Sequence, residues 1–164
     1  MSKELIQQVT APNGSVFTGS GTNSYLIGRE DITLVDPGPK INEHIDKLIK
    51  LGEGKIKRIL VTHTHRDHSP AAKVIGEILN VPLMGRLVEK DDNLQDKTFK
   101  PERVLGHGDL IETAEYTIES IHTPGHASNH LCFLIREEKA MLTGDHIMNG
   151  STVCLLYTSD AADE

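Results

Sequence analysis

The sequence predicts an α/β fold with a metal-binding site where several strands end. Residues 56–62 form an apolar, β-type run, a helical pattern begins at Pro70, and residues 81–84 form a second short apolar run. Strand, helix and strand in this order make a βαβ unit. In addition, each of three motifs rich in histidine and aspartate follows a predicted strand. The 164 residues suffice for one domain with a sizeable core.

The first third of the chain is predicted to contain strands, turns and one helix. Residues 4–9 predict a first strand, and residues 23–28 and 32–35 predict a hairpin. Gly19-Ser20-Gly21 is interpreted as a turn rather than a phosphate loop, because the P-loop lysine is absent and no helical pattern follows. Apolar residues at helical spacing between 41 and 49 predict a helix that ends at the glycines behind it.

The helix that begins at Pro70 has an apolar face and ends at Asn80. Residues 86–103 are polar and lack clear periodicity, as is typical of segments that lie over a site.

The last third of the chain predicts paired strands. Residues 109–111 and 116–121 form one predicted pair, and residues 130–135 and 140–143 form a hairpin. Cys132 lies in the apolar part of that hairpin and is interpreted as a small buried hydrophobe.

Composition disfavours some function classes. Seventeen basic and 24 acidic residues give a net charge of −7, which disfavours a broad nucleic-acid-binding surface but leaves room for a local groove. The two cysteines indicate no disulfide framework. We see neither a signal peptide nor an apolar run long enough to cross a membrane, so a cytoplasmic location is expected.

The motif His63-Thr64-His65-Arg66-Asp67-His68 carries most of the chemistry. Residues two apart in an extended chain project to the same side, so His63 and His65 can grip one metal ion together. Asp67 and His68 lie past the predicted strand end, where the chain can present them to a second ion. Imidazole and carboxylate are ligands that zinc, iron and manganese accept.

Two further motifs supply candidate ligands. Pro124-Gly125 forces a turn that places His126 at the mouth of a strand, and Gly144 precedes Asp145 at another strand end. Together the motifs offer two ligand sets. The first set would be His63, His65 and His126. The second set would be Asp67, His68 and Asp145, with Asp145 able to bridge the two ions.

Such a site predicts hydrolytic chemistry. Three histidines leave an open position for water, as in catalytic rather than structural zinc sites. A metal-bound water has a lowered pKa and becomes a hydroxide nucleophile, and Asp67 is placed to orient it or accept its proton. No serine lies in a nucleophile elbow. Asp36, at another strand end, is either a plain turn residue or an acceptor that orients a metal-binding histidine.

These motifs, in this order, resemble the metallo-beta-lactamase-fold hydrolases over residues 20–153. H-x-H-x-D-H is the specific element, and residues 22–28 and 34–38 also look like the opening hairpin of the family. The resemblance implies a four-layered αββα sandwich with two metals, zinc by default and iron or manganese as alternatives. It assigns His63, His65 and His126 to the first metal and Asp67, His68 and Asp145 to the second.

Departures from the best-known branches of the family indicate which of its groups the chain resembles. Asp145 stands where many antibiotic-hydrolysing members carry cysteine, and His65 stands where flavo-diiron reductases carry glutamate. The run from 123 to 152 looks most like the beta-lactamase-like protein 2 group, near glyoxalase II. This implies an ester, thioester, lactone or phosphodiester substrate, with RNA among the phosphodiesters because the animal member of that group is an endoribonuclease.

A further departure from the family pattern is that one metal ligand is missing. The family contributes a further histidine to the second metal downstream, so we expect this chain to hold only the N-terminal half of the sandwich and part of the second half. His130 is interpreted as a strand residue and His146 as a neighbour of the site, although either could replace the missing ligand. Residues 1–153 would be the incomplete domain. Residues 154–164 resemble an in-frame translation of a sequencing-library adapter, with a genuine acidic tail as the other interpretation.

The sequence leaves three functional hypotheses. The leading hypothesis is a hydrolase that uses a metal-bound hydroxide at a dinuclear site. The second is a non-catalytic metal-binding fragment, because the last ligand is missing. The third, a redox diiron module, is disfavoured by His65.

Overall fold

A computed structural model describes residues 4–89 and 93–148. Within these residues the chain forms three layers: two helices, a six-stranded sheet and a four-stranded sheet. One apolar core lies between the helices and the first sheet, and a second lies between the two sheets. The α/β class predicted from the sequence is therefore confirmed.

The first sheet combines an antiparallel and a parallel part, in the order β1-β2-β3-β4-β5-β6. Strands β1 to β3 pair antiparallel, and the pairs from β3 to β6 are parallel. Its strands are β1 (Ile6–Thr10), β2 (Asn23–Ile27), β3 (Ile32–Val35), β4 (Ile56–Leu60), β5 (Leu83–Gly85) and β6 (Arg103–Val104).

Both helices cover the same face of the first sheet. Helix α1 spans Asn42–Gly52 and helix α2 spans Pro70–Leu79. Proline suits the first turn of α2, where its missing N–H leaves no hydrogen bond unmade. Glu53 and Asn80 follow the two helices in the left-handed conformation that ends a helix. The buried residues of this layer include Leu26, Leu34, Ile45, Leu48, Ile59, Ala72 and Ile75.

The second sheet is antiparallel throughout and packs against the other face of the first. Its order is β10-β9-β8-β7. The strands are β7 (Leu110–Glu112), β8 (Thr117–His122), β9 (Leu131–Ile135) and β10 (Ala140–Leu142). The core between the sheets includes Ile27, Val35, Leu60, Tyr116, Ile118, Leu131, Phe133 and Ile135.

Most predicted elements are confirmed, with shifted ends. The main difference is that β4 ends at Leu60, so the H-x-H-x-D-H motif lies in a loop rather than at the end of a strand reaching residue 62. The first strand begins at Ile6 rather than at residue 4. Strand β6 was not predicted, because two exposed residues carry no recognisable period. Cys132 is buried, as predicted, whereas Cys154 lies outside the described residues.

The outer face of the second sheet is partly apolar. Ile121 and Leu134 are half-buried there, and Met141 is 46% exposed. Within the described residues no helix covers this face. Neither described helix could span a bilayer, since α1 has 11 residues and α2 has 10.

Candidate metal centre

Three loops bring the motifs to one edge of the two sheets. The loop after β4 carries H-x-H-x-D-H, the β8–β9 connection carries His126, and the chain after β10 carries Asp145. The backbone N–H of Leu131 donates to Thr62 O at 2.7 Å, which ties the first loop to β9. Because the sheets pack face to face, residues far apart in the sequence meet at this edge.

The first group of donor atoms is formed by His63, His65 and His126. All three ligand atoms lie within 4.8 Å of one another. Nδ1 of His65 lies 2.9 Å from Nε2 of His126. The ring centroid of His63 lies 4.6 Å from that of His65 and 5.0 Å from that of His126. The geometry therefore brings together the three histidines that the sequence predicted as one set.

The second compact group is formed by His63, His68 and Asp145. Oδ1 of Asp145 lies 3.3 Å from Nε2 of His68, and Oδ2 lies 3.3 Å from Nε2 of His126. The distance from Oδ2 to Nε2 of His63 is 4.0 Å. Asp145 thus lies between the two groups, in the position where a bridging carboxylate was expected.

Asp67 lies at the margin of the cluster. Its Oδ2 is 3.5 Å from Nε2 of His68, and its side chain is 33% exposed. The compact second group contains His63 in the place where the sequence predicted Asp67. The motif lies in the loop after β4, where the spacing along the sequence does not decide which way a side chain points.

Asp36 holds two of the histidines through hydrogen bonds. Its buried carboxylate accepts the N–H and the hydroxyl of Thr62, both at 2.7 Å, and Nδ1–H of His68 at 2.9 Å. The hydroxyl of Thr62, having donated to Asp36, accepts Nδ1–H of His63 at 3.0 Å. Of the two sequence-based interpretations of Asp36, these hydrogen bonds support the one that orients a histidine, and metal binding by that histidine stays a prediction.

This network places the proton of His63 on Nδ1 and leaves its Nε2 bare and directed at the cluster, whereas Nε2 of His68 faces Asp145. Nε2 of His63 is buried and has no hydrogen-bond partner within the described residues. A buried polar atom without a partner is costly, and a bound cation would satisfy it. The donor set of imidazoles and carboxylate suits zinc, iron or manganese, so the residues fit the metal that the sequence predicted.

The cluster is electrostatically polarised even without a metal. Burial, followed by the neighbouring histidines, holds the pKa of His63 well below its usual 6.5. Burial opposes the charged form of His68, but the charge of Asp36 and contacts with Asp145 hold its pKa well above 6.5. Burial would raise the pKa of Asp145, yet hydrogen bonding and charge from His68 lower it to about 2. A neutral imidazole and an ionised carboxylate are the forms that bind metal, so His68 would have to release its second ring proton when a metal binds.

Three residues beside the cluster were not among the predicted ligands. Gln95 forms an isolated bridge with His65, and the backbone N–H of Asp96 donates to Thr64 O at 2.6 Å. The polar segment expected to lie over a site thus contacts the motif, although its lack of periodicity gave no signal for these residues. His130 is buried beside His63, with ring centroids 5.0 Å apart, rather than serving only as a strand residue.

The family model for the metallo-beta-lactamase superfamily matches residues 17–163. The chain belongs to this superfamily. The match confirms the family resemblance of the motifs and the fold class. The predicted division at residue 153 stays a prediction, and residues 154–164 lie outside the described part of the chain.

Individual relatives agree with this membership. An atrochrysone carboxyl ACP thioesterase of Aspergillus chevalieri is 34% identical over 154 residues, covering 90% of this chain and 47% of the relative. A metallo-beta-lactamase family protein of Thermus thermophilus has a TM-score of 0.74 at 20% identity, covering 92% and 62% of the two chains. ETHE1 from Myxococcus xanthus has a TM-score of 0.66 at 22% identity, covering 88% and 59%. The chain spans about half the length of the curated relative.

A cavity of about 580 Å³ opens over the second group. Its lining includes the polar side chains of Asp36, Asp67, His68 and Asp145 and the apolar side chains of Val16, Phe17, Met141 and Ile147. A larger cavity, of about 680 Å³, lies at the C-terminal end of α2 and contains none of the candidate ligands. We therefore associate function with the smaller cavity, because it adjoins the metal-type side chains.

Proposed function

We propose that this chain is the metal-binding part of a hydrolase that cleaves a thioester or a related ester at a two-metal site. Zinc is the proposed metal, and the same donors accept iron or manganese. Membership in a superfamily that is typically metal-dependent supports the proposal. Because the chain spans about half the length of its curated relative, the proposed activity is that of the whole protein.

One observation carries this proposal. Nε2 of His63 is buried, bare and shared by both groups of metal-type donors. A structural histidine in a core would have both nitrogens satisfied. The hydrogen bonds that Nδ1–H of His63 and of His68 donate to Thr62 and Asp36 instead turn Nε2 of both rings toward the cluster.

The residues around the cluster have distinct proposed tasks. A bound metal would supply Lewis acidity and lower the pKa of a coordinated water. Asp145 would neutralise charge between the two groups, since its two oxygens face His68 and His126. Asp67 is the more exposed carboxylate and lines the cavity, so it would orient the attacking water and accept its proton.

The shape and polarity of the cavity favour a substrate with a polar reacting group and an apolar body. Phe17 is 86% exposed and Val16 is 94% exposed, yet both line the cavity that ends at the metal-type side chains. Exposed apolar side chains beside a polar site often bind the apolar part of a ligand. Thioesters of acyl or aromatic groups fit this pattern, and the Aspergillus chevalieri relative carries the name of a thioesterase.

Two alternatives remain distinct from this proposal. A phosphodiester substrate such as RNA uses the same metal chemistry, but the net charge of −7 offers little attraction to a polyanion. A non-catalytic metal-binding role is supported by the second group, which has only three donors and shares His63 with the first.

The test compares the whole wild-type protein, of which this chain is the proposed metal-binding part, with its His63→Ala variant. His107→Ala is the matched control, because His107 is an exposed histidine outside the two donor groups. Zinc affinity is measured by competition with a chromophoric chelator. Hydrolysis is measured with an acyl N-acetylcysteamine thioester, a lactone and bis(p-nitrophenyl) phosphate, with and without added zinc.

We expect His63→Ala to lose both zinc binding and zinc-dependent thioester hydrolysis, and His107→Ala to keep both. Equal zinc affinity in wild type and His63→Ala would overturn the metal assignment. Zinc binding without hydrolysis of any substrate would favour the non-catalytic role, and selective cleavage of the phosphodiester would replace the thioester as substrate.

A further inference from the structure

His130 is a buried histidine whose two ring nitrogens are both engaged. It lies directly before β9 and is fully buried. Nδ1 lies 2.9 Å from the hydroxyl oxygen of Thr123, and Nε2 accepts the backbone N–H of Asp145 at 3.2 Å. With both nitrogens occupied, His130 is not available as the missing metal ligand considered from the sequence.

These contacts determine the tautomer of His130. A backbone N–H can only donate, so Nε2 must carry a lone pair. The proton of the neutral ring then lies on Nδ1 and is donated to Thr123. The ring is thus an acceptor directed at the backbone N–H of Asp145.

The turn that carries Asp145 also packs against the ring. Gly144 has φ +48°, and a Cβ at that position would lie 2.8 Å from Nε2 of His130 and 2.7 Å from Oγ1 of Thr62. The backbone of the turn therefore fits between these two side chains. Since Thr62 also bonds to Asp36 and His63, the ligand loop after β4 and the turn after β10 share one packed contact.

We infer that His130 is a positioning residue that holds Asp145 between the two groups of metal-type donors, without binding metal itself. This inference rests on the proposed function, because the position of Asp145 matters only if the cluster binds metal. The ring acts through the Asp145 backbone, and the carboxylate then reaches His68 and His126, each at 3.3 Å.

The test uses three variants of the chain. His130→Gln places an amide oxygen near the position of Nε2 and retains the acceptor, whereas His130→Asn retains a polar group only near Nδ1. His130→Leu removes both nitrogens and fills the space. Zinc affinity is measured by chelator competition, and long-range ¹H–¹⁵N correlation spectra of the metal-free wild type report the tautomer of His130.

We expect the spectra to show a proton on Nδ1. Loss of an outer partner of a metal ligand typically weakens metal binding by about 10- to 100-fold, so we expect that loss in His130→Leu and His130→Asn and near-normal affinity in His130→Gln. Rescue by glutamine separates positioning from mere packing, and thermal unfolding without metal checks that each variant folds.

A proton on Nε2, or a His130→Leu variant that binds zinc as tightly as wild type, would overturn the inference. So would a His130→Gln variant that folds but binds zinc as weakly as His130→Leu, since the acceptor would then be irrelevant. If the wild-type chain itself binds no zinc, the proposed function fails and this inference fails with it. The results for wild type and His130→Leu therefore distinguish the two failures.

Discussion

Replacement of Asp36 by asparagine should weaken metal binding, although Asp36 is not itself one of the donors that face the cluster. One carboxylate oxygen of Asp36 accepts the N–H of Thr62, and the other accepts both the hydroxyl of Thr62 and Nδ1–H of His68. Asparagine has one acceptor oxygen and one NH₂ group in place of these two oxygens. If the oxygen remains on the Thr62 N–H, the NH₂ group faces two donors.

The consequence for the histidines follows from proton positions. Nδ1 of His68 would have to accept from the new NH₂ group, which moves the ring proton to Nε2, the nitrogen that faces Asp145. The hydroxyl of Thr62, without its acceptor, would donate to His63 and move that proton to Nε2 as well. Nε2 of both histidines would then carry a proton, which blocks it for metal binding.

The expected magnitude follows from the hydrogen bonds that are lost. A hydrogen bond to a charged group contributes about 1.5–3 kcal/mol. Loss of one such bond agrees with the roughly 10- to 100-fold loss of metal affinity typical of outer partners, which corresponds to about 1.4–2.8 kcal/mol. We therefore expect Asp36→Asn to weaken zinc binding by about 10- to 100-fold.

The assay is zinc competition with a chromophoric chelator, combined with thermal unfolding of the metal-free chain. Asp96→Asn is the matched control, because Asp96 accepts hydrogen bonds from Ser69 and Thr98 but none from a histidine. It should alter stability and leave zinc affinity near the wild-type value. Equal zinc affinity in Asp36→Asn and wild type would refute the predicted shift of the ring protons of His63 and His68 to Nε2.

Three further predictions concern the metal, the turn at the site and the first hairpin. After extensive dialysis the chain should retain about one tightly bound metal ion, measured by elemental analysis, and retention of none would refute the three-histidine assignment. Gly54→Ala should lower the free energy of unfolding by about 1–3 kcal/mol, because the glycine has positive φ, and Gly144→Ala should lower it by more. Both glycines have positive φ, but of the two only Gly144 has atoms within 3 Å of the new Cβ. Equal losses in denaturant unfolding would contradict this prediction. Glu115 accepts three backbone N–H groups of the β2–β3 turn, which hold its pKa below the usual 4.5, so its stabilisation should be present above pH 4.5 and lost as the pH falls through the folded value. A stability difference between wild type and Glu115→Gln that persists unchanged into acid would argue against this linkage.

Local sequence was sufficient for much of the fold. Helix α2 begins at Pro70 and is followed by Asn80, as predicted, because proline and a left-handed residue act on their own turn of chain. Strand β3 matches its predicted range, Ile32–Val35, since a short β-branched run between turn residues is also a local signal. Strand β6 escaped detection because it exists only through pairing with β5.

The candidate ligands were also identifiable from sequence, because the spacing of H-x-H-x-D-H is covalent and the chemistry of each side chain is intrinsic. Only the tertiary structure decided how they combine. His65 and His126, 61 residues apart in the chain, meet because two sheets pack face to face. His63 joins both donor groups and Asp67 stays at the margin, because the conformation of the loop after β4, rather than the sequence spacing, decides which way each side chain points. The proton positions on His63 and His68 depend on Asp36, which lies 26 residues before Thr62 and 32 residues before His68, and such long-range hydrogen bonds form only once the core is packed.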